Sequence, residues 1–304
     1  MKKRTFYLAL SIFFLAGCQA QPFYKDTQIL MGTTVEVVSP HPEAAKIAFD
    51  EIRRIENLLS KYKPDSEVAL LNQRGELDLS PETFYILKKS REFWQQSGGA
   101  FDVTIAPLMD LWGFTQQAYH VPSDAEIQET LKRVGSDKII FNDKNNVVKF
   151  KVLGLKIDLG AIAKGFAVDC AIKKLKARGI NSCLINAGGD IYCLGDKSGR
   201  PWKIALKNPR KPGFAGYLRL KDRAIATSGD YQQFFLQGNK RYAHILNPQT
   251  GHPADSGISS VSVLAPDCLT ADAIATAVFV LGRAKGQQLA NQFKGVKLCV
   301  IDDK

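Results

Sequence analysis

The amino-acid sequence predicts an α+β fold, in which sheets built from antiparallel hairpins are flanked by helices. Apolar residues recur at helical spacing in some segments and alternate with polar residues in others, which indicates both element types. The second half is rich in short strand-like runs separated by turns, a pattern typical of hairpins. Because no repeat or low-complexity linker divides the sequence, we expect one compact unit over residues 29–304, with two intimately packed lobes as the alternative.

Several segments are predicted to be helices from their apolar spacing and their end residues. In the first helix, Ala48, Ile52 and Leu59 lie on one face. A serine and a proline open the second helix, and Ser123 with Glu126 can form a capping box at the start of the third. The predicted helices cover residues 42–62, 81–97, 124–134, 162–178, 270–281 and 284–293.

The other patterned segments are predicted to be strands. Residues 234–246 should form a hairpin that turns at Gly238 and Asn239, a pair that favours the tight turn between antiparallel strands. The remaining predicted strands cover residues 27–38, 138–141, 147–152, 155–159, 181–186, 190–194, 202–206, 217–220 and 296–301.

The N-terminus resembles a bacterial lipoprotein signal. Basic residues precede an apolar run over residues 5–16, which is shorter than the ~20 residues of a membrane-spanning helix. Small residues then precede Cys18, as in a lipobox, where the thiol receives a diacylglyceryl group and the chain is cut before the cysteine. We therefore expect residues 1–17 to be removed as a signal peptide and residues 18–28 to form a lipidated N-terminus and tether.

We expect this anchor to hold the mature chain outside the cytoplasm, on the periplasmic side of a membrane. The inner membrane is expected on functional grounds, and the outer membrane is the alternative, because Gln19 is not the aspartate that resembles an inner-membrane retention signal.

The net charge and the cysteine pattern limit which partners and which cysteine roles are expected. The formal net charge is +11, and about +8 without the basic leader, which favours an anionic partner such as a phosphorylated cofactor or a lipid head group. Nucleic acid is not expected, because the chain has no long block of Lys and Arg. The cysteines after Cys18 lack metal-binding spacing, and most lie in apolar runs, so we interpret them as core residues.

Signatures of several common enzyme folds are absent. The sequence has no GxGxxG, no complete P-loop, no HExxH and no GxSxG. A Rossmann fold, a P-loop enzyme, a zinc protease and an α/β-hydrolase are therefore disfavoured.

Three loops carry a carboxylate beside small residues at the end of a predicted element. Asp102 follows a helix, Asp158 ends a strand, and Asp190 begins one. Glycine lets a backbone approach a ligand closely, and a neighbouring carboxylate can bond a ribose, a ring N–H or a metal ion. The alternative for each loop is a tight turn in which the aspartate caps the backbone.

Asp272 and Thr276 are four residues apart on a predicted helix, so a carboxylate and a hydroxyl face the same point. Both are hard oxygen donors of the kind that Mg²⁺ prefers. The alternative is that Thr270 caps the helix, Asp272 favours its dipole and Thr276 is simply packed.

His244 ends a predicted strand at a turn. A lone histidine is usually structural, but an imidazole facing a cleft can take a proton from a hydroxyl near neutral pH.

Eight motifs, in register along almost the whole mature chain, resemble the ApbE family. They are MGT (31–33), KY (61–62), GGAFDVTIAPLMDLWGF (98–114), DLGAIAKGFAVD (158–169), NAGGDIYCLG (186–195), ATSGDY (226–231), HILNPQTGHPA (244–254) and TADAIATAVFVLG (270–282). Members of that family are FAD:protein FMN transferases and are often lipoproteins that face the periplasm, which agrees with the independent interpretation of the leader.

The resemblance implies a set of site residues. His244 is the candidate general base, by family similarity and by its chemistry. Lys164 is included as a cation beside the flavin or the pyrophosphate, although some relatives have an acidic residue there. Magnesium is expected to bind the backbone carbonyls of Ala161 and Ala275 and the side chains of Asp272 and Thr276. FAD is expected to lie against Met31, Tyr62, Ala100, Phe101, Asp102, Asp158 and Leu246.

The reaction implied by the resemblance is a Mg²⁺-dependent transfer of the FMN moiety of FAD to a threonine or serine hydroxyl of a target flavoprotein, with release of AMP. Two alternatives are a metal-dependent FAD pyrophosphatase and a non-catalytic FAD-binding lipoprotein. The presence of both Asp272 and Thr276 favours turnover, because flavin binding alone needs no divalent ion. Expected partners are FAD, exported or membrane flavoproteins such as redox-pump subunits, and the membrane through the lipid anchor.

Overall fold

A seven-stranded antiparallel sheet forms the centre of the computed structural model, which describes residues 22–238 and 240–303. The strands, in chain order, are β1 (Tyr24–Leu30), β2 (Thr33–Ser39), β3 (Glu76–Asp78), β4 (Ile139–Asn142), β5 (Val147–Phe150), β6 (Cys183–Ala187), β7 (Asp190–Leu194), β8 (Trp202–Lys207), β9 (Phe214–Leu220), β10 (Arg223–Gly229), β11 (Phe234–Gln237), β12 (Lys240–Ala243), β13 (Ile258–Ala265) and β14 (Lys297–Asp302). The large sheet has the order β1-β2-β6-β7-β10-β13-β14. Three smaller sheets have the orders β3-β5-β4, β8-β9 and β11-β12.

Three helices cover the large sheet and supply most of its core. Helix α6 packs against both α1 and α7, and α7 also lies against β10 and β13. No helix within the described ranges is long and apolar enough to cross a bilayer. The helices are α1 (Ala44–Leu59), α2 (Glu67–Arg74), α3 (Pro81–Gln96), α4 (Ala106–Leu111), α5 (Asp124–Leu131), α6 (Ala163–Ala177) and α7 (Cys268–Ala290).

The predicted α+β class is confirmed, and so are the helices with strong end signals. The Ser80 side chain caps α3, and Ser123 with Glu126 forms the complete capping box of α5. Helix α7 contains a break at Gly282, where φ is 79°, so its two segments correspond to the two predicted helices.

The N-terminal segment differs from the prediction. Residues 24–39 form the hairpin β1–β2, and not a single strand over residues 27–38. The turn residues Met31 and Gly32 both have positive φ, 53° and 70°, which matches the twist of a two-residue hairpin turn. Part of the predicted tether therefore belongs to the sheet, because residues from Tyr24 onward pair with β2. The leader, Cys18 and Asn239 lie outside the described residues.

The predicted strand over residues 155–159 is wrong. This segment is extended and buries Leu155, but its backbone is not in a ladder. The side chain of Asn72 accepts from Ile157 N at 2.7 Å and donates to Ile157 O at 2.8 Å, and Asp158 N donates to Val103 O at 2.7 Å. A side-chain amide thus satisfies the groups that a neighbouring strand would otherwise bond.

The first turn of α7 is fixed to α6. Both carboxylate oxygens of Asp169 accept backbone N–H bonds, from Cys268 and Leu269, each at 2.8 Å. The Asp267 side chain caps the same end by accepting from Thr270 N at 2.7 Å. Gly165 lies directly against the Cys268 carbonyl, where a Cβ would clash, so glycine permits this close approach.

We predict that Asp169→Ala lowers the free energy of unfolding by about 3 kcal/mol, because two buried N–H groups would lose their acceptors. Urea unfolding followed by circular dichroism measures the change. Asp267→Ala is the matched control and should cost about 1 kcal/mol, since it removes one capping bond. Equal stability of the wild type and Asp169→Ala would contradict this account of the helix junction.

Candidate active site

An open cavity of about 790 Å³ lies beside the central sheet, at the ends of several elements. The β1–β2 turn, the loops before α4 and α6, the β6–β7 turn, the segment after β12 and the helix α7 all contribute to its wall. The predicted site residues in the wall are Met31, Tyr62, Ala100, Phe101, Asp102, Asp158, Ala161, Lys164, His244, Leu246, Asp272 and Thr276. Ala275 is fully buried in α7 and is not part of the wall.

Two buried carboxylates share one ammonium group at the base of the cavity. Lys164 Nζ lies 2.9 Å from Asp190 Oδ2 and 3.5 Å from Asp272 Oδ2. Asp190 and Asp272 are only 3% and 4% exposed. Burial raises the pKa of both carboxyl groups. Burial alone would lower the pKa of Lys164, but the attraction of the two carboxylates is stronger, so the pKa of Lys164 is raised.

The oxygen atoms here are incompletely bonded. The contact of Asp190 Oδ2 with Lys164 lacks hydrogen-bond geometry, which leaves this buried atom without a hydrogen-bond partner. Asp272 Oδ2 receives two long bonds, of 3.3 Å from Gly165 N and 3.5 Å from Lys164 Nζ, and the Thr276 hydroxyl lies 3.4 Å from that of Ser228. Under-satisfied carboxylate and hydroxyl oxygens are the donor set that suits Mg²⁺.

No group of three or more His, Cys, Asp or Glu side chains within the described part of the chain could hold a metal ion. A dedicated zinc-type cage is therefore not what the described residues form. The donor set fits instead an ion that takes few protein ligands and completes its shell with water and phosphate oxygens, as Mg²⁺ does.

His244 presents one ring nitrogen to the cavity in a defined state. Its Nδ1 lies 3.0 Å from the carbonyl oxygen of Gln233, and its backbone N–H donates to the same oxygen. A carbonyl can only accept, so Nδ1 carries the proton and Nε2 keeps a free lone pair. Burial lowers the pKa of His244, and the hydrogen bond to Gln233 only partly opposes this. The imidazole is therefore neutral at pH 7 and able to accept a proton.

Asp102 is held as a capping residue. Its Oδ1 accepts from the backbone N–H and the hydroxyl of Thr104, at 2.9 and 2.7 Å, and from the hydroxyl of Ser136 at 2.7 Å. Its Oδ2 accepts from Ser136 N at 3.1 Å. Burial raises the pKa of this carboxyl against these bonds. Asp102 thus shapes its loop as a cap and also lines the cavity.

Asp158 combines a turn with an ion pair. Its Oδ1 accepts from Gly160 N at 2.8 Å, and its Oδ2 lies 2.8 Å from Lys61 Nζ. Burial lowers the pKa of Lys61, but its ion pair with Asp158 outweighs this and the net shift is upward. The ammonium of Lys61 also lies 5.0 Å from the ring centroid of Tyr62, whose side chain is exposed at the cavity rim.

Three residues at the site were not assigned to it from the sequence. Asp190 lies in one of the loops whose carboxylate was considered as a ligand, but it was not included among the expected site residues. Lys61 is the first residue of the KY motif, and Ser228 belongs to the ATSGDY motif. Their motifs mark these residues, but only the fold shows that Asp190 faces Lys164 and that Ser228 faces Thr276.

The fold and the cavity define an α+β protein with an enzyme-type site, in which hard oxygen donors, a buried ammonium and a neutral imidazole line one large cleft. The chain belongs to the ApbE family, whose family model matches residues 31–300. The motif resemblance noted in the sequence is thereby confirmed.

Relatives of known name match almost the whole chain. It is 33% identical to an FAD:protein FMN transferase of Vibrio cholerae, over 99% of this chain and 95% of that one. It is also 33% identical to an FAD:protein FMN transferase of Treponema pallidum, over 92% and 85% of the two chains. Among solved structures, the ApbE protein of Thermotoga maritima superimposes with a TM-score of 0.86, at 35% identity and over 93% of this chain and 95% of that one.

Proposed function

We propose that this protein is an FAD:protein FMN transferase, which moves the FMN moiety of FAD onto a threonine or serine hydroxyl of a flavoprotein. The observation that carries the proposal is the shared cavity, in which a neutral His244 and the oxygen donors Asp272 and Thr276 line one space of about 790 Å³. That volume is large enough for an extended dinucleotide. Relatives with this activity in their names, similar over nearly the full chain, support it.

The wall offers different chemistry for the two ends of FAD. Phe101 and Leu246 supply apolar surface, and the exposed ring of Tyr62 stands at the rim, where it can cover a flavin ring. Lys164 supplies positive charge near the base of the cavity, where the pyrophosphate would meet the oxygen donors.

Magnesium is proposed as the metal, held by the side chains of Asp272 and Thr276 with the Ala161 carbonyl at the cavity wall. Ala275, whose carbonyl is the fourth ligand implied by the family, is buried in α7 and is not among the residues that line the cavity. Bound Mg²⁺ would neutralise charge on the pyrophosphate.

The proposed step transfers the FMN phosphoryl group from the phosphate of AMP to an acceptor hydroxyl. The acceptor hydroxyl oxygen bonds to the phosphorus of the FMN half, and the bond from that phosphorus to the bridging pyrophosphate oxygen breaks. AMP leaves with the bridging oxygen, and FMN remains on the acceptor through a phosphoester. His244 Nε2 takes the hydroxyl proton, for which its neutral state and fixed tautomer prepare it.

The acceptors are proposed to be exported or membrane flavoproteins, such as subunits of redox pumps. The lipobox at Cys18 supports this assignment, since an anchored chain on the periplasmic side meets such proteins.

The deciding experiment is intact-mass spectrometry of a threonine-bearing acceptor domain after incubation with the chain, FAD and Mg²⁺. We expect a mass gain equal to FMN minus water, with release of AMP. Asp272→Ala should abolish the gain, whereas Asp65→Ala, which removes an exposed carboxylate elsewhere, should retain it. Free FMN and AMP without a mass gain would instead show a pyrophosphatase, and intact FAD with a competent acceptor would show a binding protein.

We predict that His244→Ala slows transfer by roughly 10²- to 10⁴-fold, the usual contribution of a general base, while FAD binding is kept. Fixed-time assays measure the transfer rate, and fluorescence titration measures the affinity for FAD. His120→Ala, at an exposed position, is the matched control. Full activity of His244→Ala with normal FAD affinity would remove His244 from this role.

The wild-type rate should fall on acidification, because protonated His244 cannot accept a proton. Burial places its pKa below the ordinary 6.5, so the acid limb of the pH–rate profile should lie below pH 6.5. An acid limb above that value would assign the titration to another group.

The anchor is tested by the intact mass of the chain purified from bacterial membranes in detergent. We expect a mature chain that begins at Cys18 and carries acyl mass, whereas Cys18→Ser should lack the acyl groups and keep residues 1–17. A mature N-terminus elsewhere would contradict the lipobox interpretation.

A further inference from the structure

The sheet β8–β9 and its flanks, residues 197–223, concentrate the positive charge of the molecule. We call this segment the basic hairpin. It contains nine Lys and Arg residues and a single acidic residue, Asp222. Three charges of the formal +11 lie in the leader, so residues 18–304 have a net charge of +8, and the basic hairpin alone accounts for that excess. The rest of the mature chain is electrically balanced.

The basic hairpin is amphipathic. Along β8 the side chains of Trp202, Ile204 and Leu206 face inward, while Lys203 and Lys207 are exposed. On β9 the exposed residues include Arg219, which pairs directly across the sheet with Lys203. Two like charges in a cross-strand pair destabilise a sheet. The pair is therefore a cost to the hairpin that an anionic partner would relieve.

Several of these cations are not neutralised within the protein. In the described ranges, Arg210 pairs with Asp230 and Asp303, and Lys221 pairs with Asp196. The hairpin residues without an ion pair among the described residues are Lys197, Arg200, Lys203, Lys207, Lys211, Arg219 and Arg223. Their charge is available to a partner, except that Lys207 lines the cavity and would face a ligand there.

Exposed aromatic rings accompany these cations. Phe214 and Tyr217 are 60% and 55% exposed, and their ring centroids lie 5.7 Å apart. Lys203 Nζ lies 4.0 Å from the centroid of Tyr217. Basic residues interleaved with exposed aromatic rings are typical of surfaces that lie in the headgroup region of a bilayer.

The basic hairpin also adjoins the N-terminus. The ring of Phe23 packs edge-on against Trp202, with centroids 5.7 Å apart, and Lys197 lies over both rings. Cys18 precedes Phe23 by five residues, which span at most about 18 Å. An acyl anchor on Cys18 would hold the hairpin within that distance of the membrane.

We propose that the exposed face of the basic hairpin is a membrane-contact surface that binds anionic phospholipid headgroups. The cations attract the headgroups, and Phe214 and Tyr217 enter the interface as apolar anchors. This surface supplements the lipid anchor and orients the molecule. Because Ile204 and Leu206 of the same hairpin line the cavity, membrane contact would hold the cavity close to the bilayer.

The test uses residues 19–304, which include every described element and lack the acyl groups. Co-sedimentation compares phosphatidylcholine vesicles with vesicles that contain about one third phosphatidylglycerol. We expect binding to the anionic vesicles only, decreasing as salt is added. Neither FAD nor an acceptor is needed, so the result is independent of the transferase proposal.

Lys203→Gln with Arg219→Gln should weaken binding to anionic vesicles by roughly tenfold or more, since each basic residue near the surface contributes several-fold. The matched control, Lys173→Gln with Lys174→Gln, removes the same charge from an exposed part of α6 and should bind as the wild type does. Phe214→Ala should also weaken binding, whereas Leu153→Ala, at a residue 97% exposed elsewhere, should not. Unchanged melting temperatures exclude misfolding.

Three outcomes would overturn the proposal. They are no binding to anionic vesicles, equal binding to both vesicle types, and equal losses in the hairpin variant and its control. A hairpin variant that leaves vesicle binding unchanged but raises the KM for a soluble acidic acceptor would assign the surface to protein recognition instead.

Discussion

The buried group formed by Lys164, Asp190 and Asp272 is the constraint on which the site depends. Each charge comes from a different element, since Lys164 lies on α6, Asp190 begins β7 and Asp272 lies on α7. Removing a charge from water is costly unless it meets an opposite charge, so α6, β7 and α7 have to pack in one arrangement. Asp169 on α6 also bonds the first turn of α7 and so helps to hold α6 and α7 in this arrangement. The packing of α6, β7 and α7 therefore forms the base of the cavity.

The sequence predicted the elements whose ends carry their own signals, such as the capping box at Ser123 and the break at Gly282. The prediction from the sequence failed where a side chain, and not a neighbouring strand, supplies the backbone hydrogen bonds. The extended segment at Ile157 looks like a strand in its apolar alternation, but Asn72, far away in the chain, supplies its hydrogen bonds. The short helices α2 and α4 were also missed, because so few residues give little periodic signal.

The identities of the site residues followed from motifs, whereas their states required the fold. The tautomer of His244 depends on the Gln233 carbonyl eleven residues away, which no local pattern reveals. From the sequence Asp102 could be assigned to a ligand or to a cap, and the fold adds that it caps its loop through four bonds to Thr104 and Ser136 while it also lines the cavity. The importance of Asp190 likewise rests on its contact with Lys164, a relationship between distant parts of the chain.

The strand order of the central sheet affects how the chain folds. Val35 in β2 pairs with Ala187 in β6, and among the described strands β14 pairs only with β13. Such distant pairings slow folding, because closing the long intervening segments costs conformational entropy before the stabilising contacts form. Strand β13 is almost wholly buried, and until β14 arrives its free edge is an apolar template for another chain. Strand β14 thus covers an apolar edge and protects the protein against aggregation.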